Sequence, residues 1–227
     1  MLVALRTNIE HKLFFLSLLS IYASLKNVDM KNLVLFSFLC FFVLDIHSQP
    51  FGILIDSRDG QEYKTVKLKD GKVWMAQNLN FDIGEECWES SGYKEYGRLY
   101  TWESAQRACP PCWHLPSDQE WWEMSKHYGM AFNRDEGQQK NISNGAGKSA
   151  YKSLIKDGGD SGFSALLGGY RSTNGSFDYL GFDGSYWSST ARSSSSAWYY
   201  YFLRFTKDLR RSSYDRDWAL SCRCVQD

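Results

Sequence analysis

Polar and apolar positions alternate with a period of two through much of the second half of the chain. In AWYYYFLRF, Trp198, Tyr200, Phe202 and Arg204 fall on one side of an extended segment. Tyr199, Tyr201, Leu203 and Phe205 fall on the other. If the sheet is covered on one side, one of these rows is core and the other is free to bind. A last strand puts Trp218, Leu220, Cys222 and Cys224 on one face, with Ala219, Ser221, Arg223 and Val225 opposite. Early in the chain, Tyr63, Thr65, Val66 and Leu68 precede Lys69-Asp70-Gly71-Lys72, and Val73-Trp74-Met75-Ala76 follows. Asp-Gly between β-prone runs predicts a hairpin.

Helical signals are confined to the middle. YTWESAQRA (Tyr100–Ala108) predicts a helix ended by Pro110 and Pro111. Ser117-Asp118-Gln119-Glu120 has the form of a capping box, opening a second helix through Trp121, Trp122, Met124 and Tyr128. Residues 133–162 are polar and glycine-rich, a loop with a short helical piece near Lys148–Ile155. These signals predict an α+β fold, with two helices packed on a small antiparallel sheet and long irregular loops.

The start of the chain reads as targeting rather than fold. Lys31 and Asn32, the apolar run LVLFSFLCFFVL and then Ser48 have the layout of a secretory signal at residues 30–48. The run is too short to span a bilayer well. Residues 1–29 carry a second apolar run, read as upstream of the true start at Met30. The expected organisation is a targeting region, 1–48, and one domain, 49–227, with no stable membrane span in the mature chain. Its expected place is outside the cell or in the envelope.

Charge narrows the partners: 26 basic residues balance 26 acidic ones. Without a basic block, nucleic acid gains no electrostatic support. Aromatic residues make up 16% of the chain, including nine Trp and fourteen Tyr. They suit either a core or a face for carbohydrate or protein.

Export leaves Cys87, Cys109, Cys112, Cys222 and Cys224, an odd number in a compartment where disulfides persist. A redox dithiol would sit at a helix start, but here a helix runs into Cys109. Four thiolates could hold zinc, yet Cys222 and Cys224 are closely spaced and the compartment is oxidising. Staples fit best. Cys222 and Cys224 lie about 7 Å apart along a strand, matching Cys109 and Cys112 across a helix end. Parallel bridges Cys109–Cys224 and Cys112–Cys222, the crossed pairing, and a local Cys109–Cys112 bridge all remain open.

GKVWMAQNLNF, YGRLYTWESAQRACPPCWHLPSDQEWW, SGFSALLGGYR, GSYWSST and RCVQD occur in this order. Together they resemble the Fibrobacter succinogenes major paralogous domain, a secreted bacterial module, over essentially the whole mature chain. The same blocks are more distantly similar to the C-type-lectin-like fold and to its formylglycine-generating relatives. Trp102, Ala105 and Cys109 match the first lectin helix. The resemblance implies a staple from that helix to the last strand, Cys109–Cys224. Where Cys112 stands the family usually has Gly, and where Cys222 stands it has a non-cysteine. Two added cysteines beside one staple imply a second bridge, Cys112–Cys222, and leave Cys87 unpaired.

The resemblance supplies no activity, and fold alone does not choose one. Lectin-like folds carry ligand contacts on loops and strands of the second half, here Tyr170–Tyr214. The candidate ligand residues are Arg171, Asp178, Tyr179, Asp183, Arg192, Trp198, Tyr200 and Arg204, with Tyr186 and Trp187 nearby; Trp187 reads as framework. Aromatic faces stack on sugar rings, while Arg and Asp bond hydroxyls. The expectation is a non-catalytic binding module for a glycan or protein at the cell surface. Two alternatives stand beside it. One is an enzyme akin to the sulfatase-modifying group, using Cys222 and Cys224; the other is a purely structural envelope component. His114 and His127 form no legible catalytic arrangement with a nucleophile. Calcium is chemically possible, but Asp178 and Asp183 are too few acids to predict a site. No other metal or cofactor is expected. Asn141 and Asn174 begin tripeptides of the glycosylation type.

Overall fold

The computed structural model describes residues 51–90, 94–131 and 146–227. The targeting region and Asn141 lie outside the described residues.

β1 (Phe51–Ile55) pairs antiparallel with β2 (Glu62–Lys67), which turns into β3 (Val73–Met75). The turn closes where the Leu68 amide donates to Lys72 O at 2.9 Å, and Gly71 takes the positive φ of 83° that favours glycine. These strands form a five-stranded sheet, in the order β1-β2-β3-β13-β6, with β6 (Trp113–His114) and β13 (Val225–Gln226). A six-stranded sheet runs β11-β10-β9-β12-β5-β4. Its members are β4 (Cys87–Glu89), β5 (Arg98–Tyr100), β9 (Asp183–Ala191), β10 (Ser196–Leu203), β11 (Asp208–Asp215) and β12 (Leu220–Ser221). β7 (Tyr170–Arg171) and β8 (Phe177–Asp178) make a separate ladder.

The single small antiparallel sheet expected from the sequence is thus replaced by two larger ones, and β12 runs parallel to β9. The predicted last strand is two strands. β12 belongs to one sheet and β13 to the other, so the chain crosses between sheets over residues 222–224.

α1 (Trp102–Ala108) is capped by Thr101, whose hydroxyl accepts from the Ser104 amide. α2 (Asp118–His127) opens with the expected capping box. The Glu120 amide donates to Ser117 Oγ at 3.2 Å, and the Ser117 amide donates to Glu120 Oε2 at 2.7 Å. The short helical piece expected near Lys148–Ile155 is a third helix, α3 (Lys148–Leu154), in which Ala150, Tyr151 and Leu154 bury one stripe. It packs close to β11: a Cβ on Gly147 would meet Leu209 O at 1.9 Å.

Two hydrophobic cores result. One gathers Val66, Trp74, Trp121, Phe163, Tyr186, Tyr200 and Phe202; the other gathers Met75, Leu79, Tyr100, Trp102, Trp187, Tyr199, Cys222 and Cys224. Neighbouring residues on one strand feed different cores, as with Trp74 and Met75, Tyr186 and Trp187, and Tyr199 and Tyr200. Both rows of β10 are therefore packed over most of its length. This corrects the expectation that one row is free, and a strand buried on both sides explains the unbroken aromatic run. Trp121 stacks on Tyr200 at 5.3 Å and meets Trp74 edge-on at 5.3 Å. Such pairs contribute about 0.5–1.5 kcal/mol each beyond area burial.

Cys109, just past α1, bonds Cys224 in the crossing segment, with a Cα–Cα distance of 5.9 Å. The expected Cys112–Cys222 bridge is absent. Cys222 is wholly buried in the second core, whereas Cys112 is exposed. Cys112 sits in a Pro110–Trp113 turn closed by Trp113 N donating to Pro110 O at 3.0 Å, and it holds φ at 65°. That conformation suits glycine and turns the thiol outward, away from the core where Cys222 lies.

Arg223, between these cysteines, is fully buried. Nε donates to Asn78 Oδ1 at 2.8 Å, Nη1 to Met75 O at 3.1 Å and to Phe163 O, and Nη2 to Ser164 O at 2.7 Å. Its plane lies 4.7 Å from the Phe163 ring centroid.

Two outcomes are expected. Arg223→Met leaves buried acceptors unmatched at roughly 1–3 kcal/mol each, so it should cost at least about 3 kcal/mol in urea unfolding. Arg223→Lys should recover only part of this, because one ammonium cannot span four oxygens. Among the described cysteines, alkylation of the unreduced native protein should label Cys112 alone, Cys87 and Cys222 only after unfolding, and Cys109 and Cys224 only after reduction. Native labelling of Cys222 would contradict the packing.

Candidate ligand-binding surface

The residues singled out in the second half separate to two ends of the β9–β10–β11 layer. Arg192 and Trp198 lie at one end, where Arg192 Nη1 donates to Ser213 Oγ at 2.7 Å. Trp198 is half-buried, with the Arg211 guanidinium 3.4 Å from its ring centroid and Arg192 at 5.4 Å. Arg211 in turn is held by both carboxylate oxygens of Asp118, at 2.6 and 2.8 Å. Trp198 is thus part of a packed ion-pair assembly. Tyr200, between the ends, is a core residue whose hydroxyl lies 3.1 Å from Asp118 Oδ1. It is not available to a ligand, because its row of β10 faces α2 rather than solvent.

At the other end, about 17 Å away along β10 by strand rise, Asp178, Tyr179, Asp183 and Arg204 come together. Tyr179 holds a positive φ of 62°, and its carbonyl accepts from the amides of Phe182 and Asp183 at 2.9 and 3.0 Å. This tight turn fixes the exposed phenol, which is stacked on Tyr170 at 5.4 Å. Arg204 clasps the same turn: its amide donates to Phe182 O at 3.0 Å and Nη1 to Gly181 O at 3.2 Å. Sequence reasoning missed the residues that complete the surface. Phe182 and Phe205 stack at 5.3 Å in near-parallel planes, with Phe205 82% and Tyr179 57% exposed. Phe177 on β8 is exposed as well. A signal was available for Phe182, a lone apolar residue among the turn formers of GFDG, whereas Phe205 read as the last position of the Tyr199 row. Arg171 is close by, its guanidinium 4.0 Å from the Trp88 centroid and 5.9 Å from Phe177.

Behind this rim lies a stacked series: Tyr201 on Tyr199 at 5.1 Å, Tyr199 on Tyr214 at 4.4 Å, Tyr214 on Trp218 at 4.4 Å, and Trp218 against Tyr170 at 5.1 Å. Burial pushes these phenols up, Tyr201 and Tyr214 among them, so they stay neutral hydroxyls. Asp183 is buried at the foot of the series, and burial pushes its carboxyl up to about 6.

A family model described as the Fibrobacter succinogenes major domain matches residues 58–226. The chain belongs to that family. No curated protein and no solved structure matches it. The match spans both cores, the Cys109–Cys224 staple and the whole rim of this major domain. The family's function is unknown.

Cys224 is consumed in the bridge, and burial pushes the Cys222 thiol far up, so neither is a ready nucleophile. Among the described residues no group of three His, Cys, Asp or Glu is placed to hold a metal ion. No helix of the described residues is long and apolar enough to cross a membrane.

His114 on β6 lies between two carboxylates, Nδ1 at 2.6 Å from Asp227 Oδ1 and Nε2 at 3.0 Å from Glu120 Oε1. Only the protonated ring donates to both. Burial pulls its pKa down, but the bonds to Asp227 and Glu120 outweigh burial and leave it raised. Burial raises Glu120, while Lys72, Ser117 and His114 together bring it down to about 2. The two groups act in opposite directions. The His114 contribution is complete below its usual 6.5 and is lost as pH rises through the raised folded value. The Glu120 contribution is complete above its usual 4.5 and is lost as pH falls toward 2. The melting temperature should therefore decline on both sides of a mildly acidic optimum. His114→Asn should flatten the decline on the alkaline side most, and weaken the acid-side decline in part because Glu120 loses one of the groups that lower it, as followed by calorimetry across pH.

Proposed function

We propose that the domain is a secreted or cell-surface binding module of C-type-lectin-like fold, non-catalytic, whose glycan or protein ligand seats on the rim formed by Tyr179, Phe182, Arg204 and Phe205. The exposed Phe182–Phe205 pair carries this reading. Two phenylalanines stacked flat against each other at the surface, beside a fixed phenol and a cation, belong to neither core. A contiguous apolar patch with polar neighbours is the usual form of an interaction site. The bridge from the first helix of the domain to its last strands is the staple that a lectin-like fold implies, and it suits an oxidising compartment. Rigid backbone beneath the rim lowers the ordering cost of binding: Tyr179 is fixed by two amide bonds and Arg204 by two carbonyls.

The double variant Phe182→Ser/Phe205→Ser removes the patch and leaves both cores intact. It should keep the melting temperature within the range of surface substitutions, about 0.5 kcal/mol per site. Retention on an immobilised oligosaccharide panel and on the envelope fraction of the producing cells should fall at least about tenfold, the range of a hot-spot loss. Undiminished retention by a folded double variant would remove the rim from consideration.

A further inference from the structure

Arg171 on β7 is half-buried, and its guanidinium donates to no described residue. Every other described arginine reaches an oxygen. Arg58, Arg98, Arg107, Arg210, Arg211 and Arg216 are each paired with a carboxylate. Arg192 donates to Ser213 Oγ, Arg204 to Gly181 O and Arg223 to four oxygens. Nε of Arg98 and of Arg216 is unpartnered but buried. No donor of Arg171 is sealed in that way, so its free N–H groups meet water.

The guanidinium is nevertheless held in place. The Arg171 amide donates to Ala219 O and the Ala219 amide to Arg171 O, both at 2.9 Å. Its Cζ lies over the Trp88 ring, 4.0 Å from the centroid, and 5.9 Å from the centroid of Phe177, its partner across the β7–β8 ladder. Trp88 belongs to β4, and just past that strand Ser90 Oγ donates to Gly168 O at 2.7 Å, which ties β4 to the segment leading into β7. Gly175 in the hairpin turn also comes close. A Cβ there would lie 3.2 Å from Nη2, so glycine leaves that nitrogen uncrowded. Phe177 is 41% exposed, and among the described residues no aromatic ring stacks on it.

A fixed guanidinium with unbonded N–H groups matches a planar carboxylate, which it can hold through two parallel bonds. Ordering before the ligand arrives lowers the cost of binding. A polyanion is a poor match. The chain neighbours of Arg171, Trp88 and Phe177 add Glu89 and Asp178 but no lysine or arginine, and Arg98 on β5 is taken by Asp82. One carboxylate is therefore neutralised here rather than a row of phosphates. Phe177 supplies an apolar ring beside the cation, on which the flat side of a pyranose packs. A carboxylate borne by a sugar ring brings charge and ring together as these two residues do.

We propose that Arg171, with Trp88 and Phe177, binds the carboxylate of an acidic glycan, a uronate residue. This site rests on the reading of the domain as a binding module and names a ligand class for it, but it is independent of the Phe182–Phe205 rim. Tyr170 and Asp178 point to one side of the β7–β8 ladder, and Arg171 and Phe177 to the other. The stack of Tyr179 on Tyr170 is thus on the far side.

The probes are trisaccharides of galacturonate and of glucuronate, their methyl esters, which keep the shape and remove the charge, and an acetylated glutamate peptide amide. Calorimetric titration and saturation-transfer NMR on the full chain read binding. At least one oligouronate should bind saturably, at least about tenfold more tightly than its ester, the range of lost charge-assisted hydrogen bonds. Arg171→Gln should weaken it at least about tenfold. Arg171→Lys should recover only part, because an ammonium keeps the charge but not the fork. Phe177→Ser, at an exposed ring, should leave the melting temperature unchanged and weaken binding at least about threefold. Equal binding of the ester, unchanged binding by a folded Arg171→Gln protein, or no saturable binding of either oligouronate would each overturn the proposal. Tighter binding of the peptide would overturn it in favour of an acidic protein. Uronate binding should persist in the Phe182→Ser/Phe205→Ser protein, which keeps the Arg171 site even where the rim reading has failed; its loss from that folded variant would overturn the assignment to Arg171.

Discussion

The Arg223 guanidinium sits where the two cores meet, out of reach of water, with four oxygens around it and no carboxylate among the described residues. Burying a charge this way is costly unless every donor is matched. The match requires Met75 O at the end of β3, Asn78 just beyond it, and the 163–164 turn to converge on one point. Asn78 is itself tied to Tyr96 O and Ser221 Oγ, at 2.8 and 3.3 Å. The same short segment, residues 222–224, carries the chain from one sheet to the other. The Leu79 and Met75 amides donate to Cys222 O and Cys224 O, and Cys224 is bonded to Cys109. Hydrogen bonds, one disulfide and one guanidinium thus lock both sheets and α1 to a few residues near the end of the chain.

That lock makes an unusual middle layer stable. β9 and β10 are packed on both faces, so their aromatic side chains are divided between two cores rather than between core and solvent. The double cover stops at both ends of the layer, at the Ala191–Ser196 hairpin and beyond Leu203. At the β10–β11 end the aromatic residues come into the open as Tyr179, Phe182 and Phe205, and Asp183 there is, among the described residues, a buried aspartate with no arginine partner. Elsewhere buried charge is compensated, as in Asp118 with Arg211 and Asp208 with Arg210. Departures from such consistency concentrate where a protein meets something else.

Local chemistry was legible wherever a few neighbouring residues decide the outcome. The Asp70-Gly71 hairpin, the Ser117–Glu120 capping box and the α1 stop at Pro110 all depend on contacts within about one turn. The side-chain parity of the final segment was legible too: Cys222 and Cys224 enter one core and Val225 the other. A helix at Lys148–Leu154 was faintly visible in its Ala150, Tyr151 and Leu154 stripe. The break between β12 and β13 was not visible, since alternation continues unchanged across a sheet switch. The pairing of the cysteines was not decided by spacing. Cys112 looked like a partner for Cys222 along the chain, but the φ of a tight turn set it facing solvent.

The sequence by itself determined the local elements, the α+β class and the family, and it drew attention to the segment Tyr170–Tyr214. All of these follow from short-range sterics, hydrophobic period and motif order. Which of the residues in that segment reach solvent was decided by tertiary structure alone. Period two separates the faces of a strand but is silent on whether each face meets water or a second core. Tyr200 and Phe205 are both aromatic and fall five residues apart, yet one is wholly buried under α2 and the other stands 82% exposed, because α2 covers the middle of β10 and no described element covers the turn beyond its end.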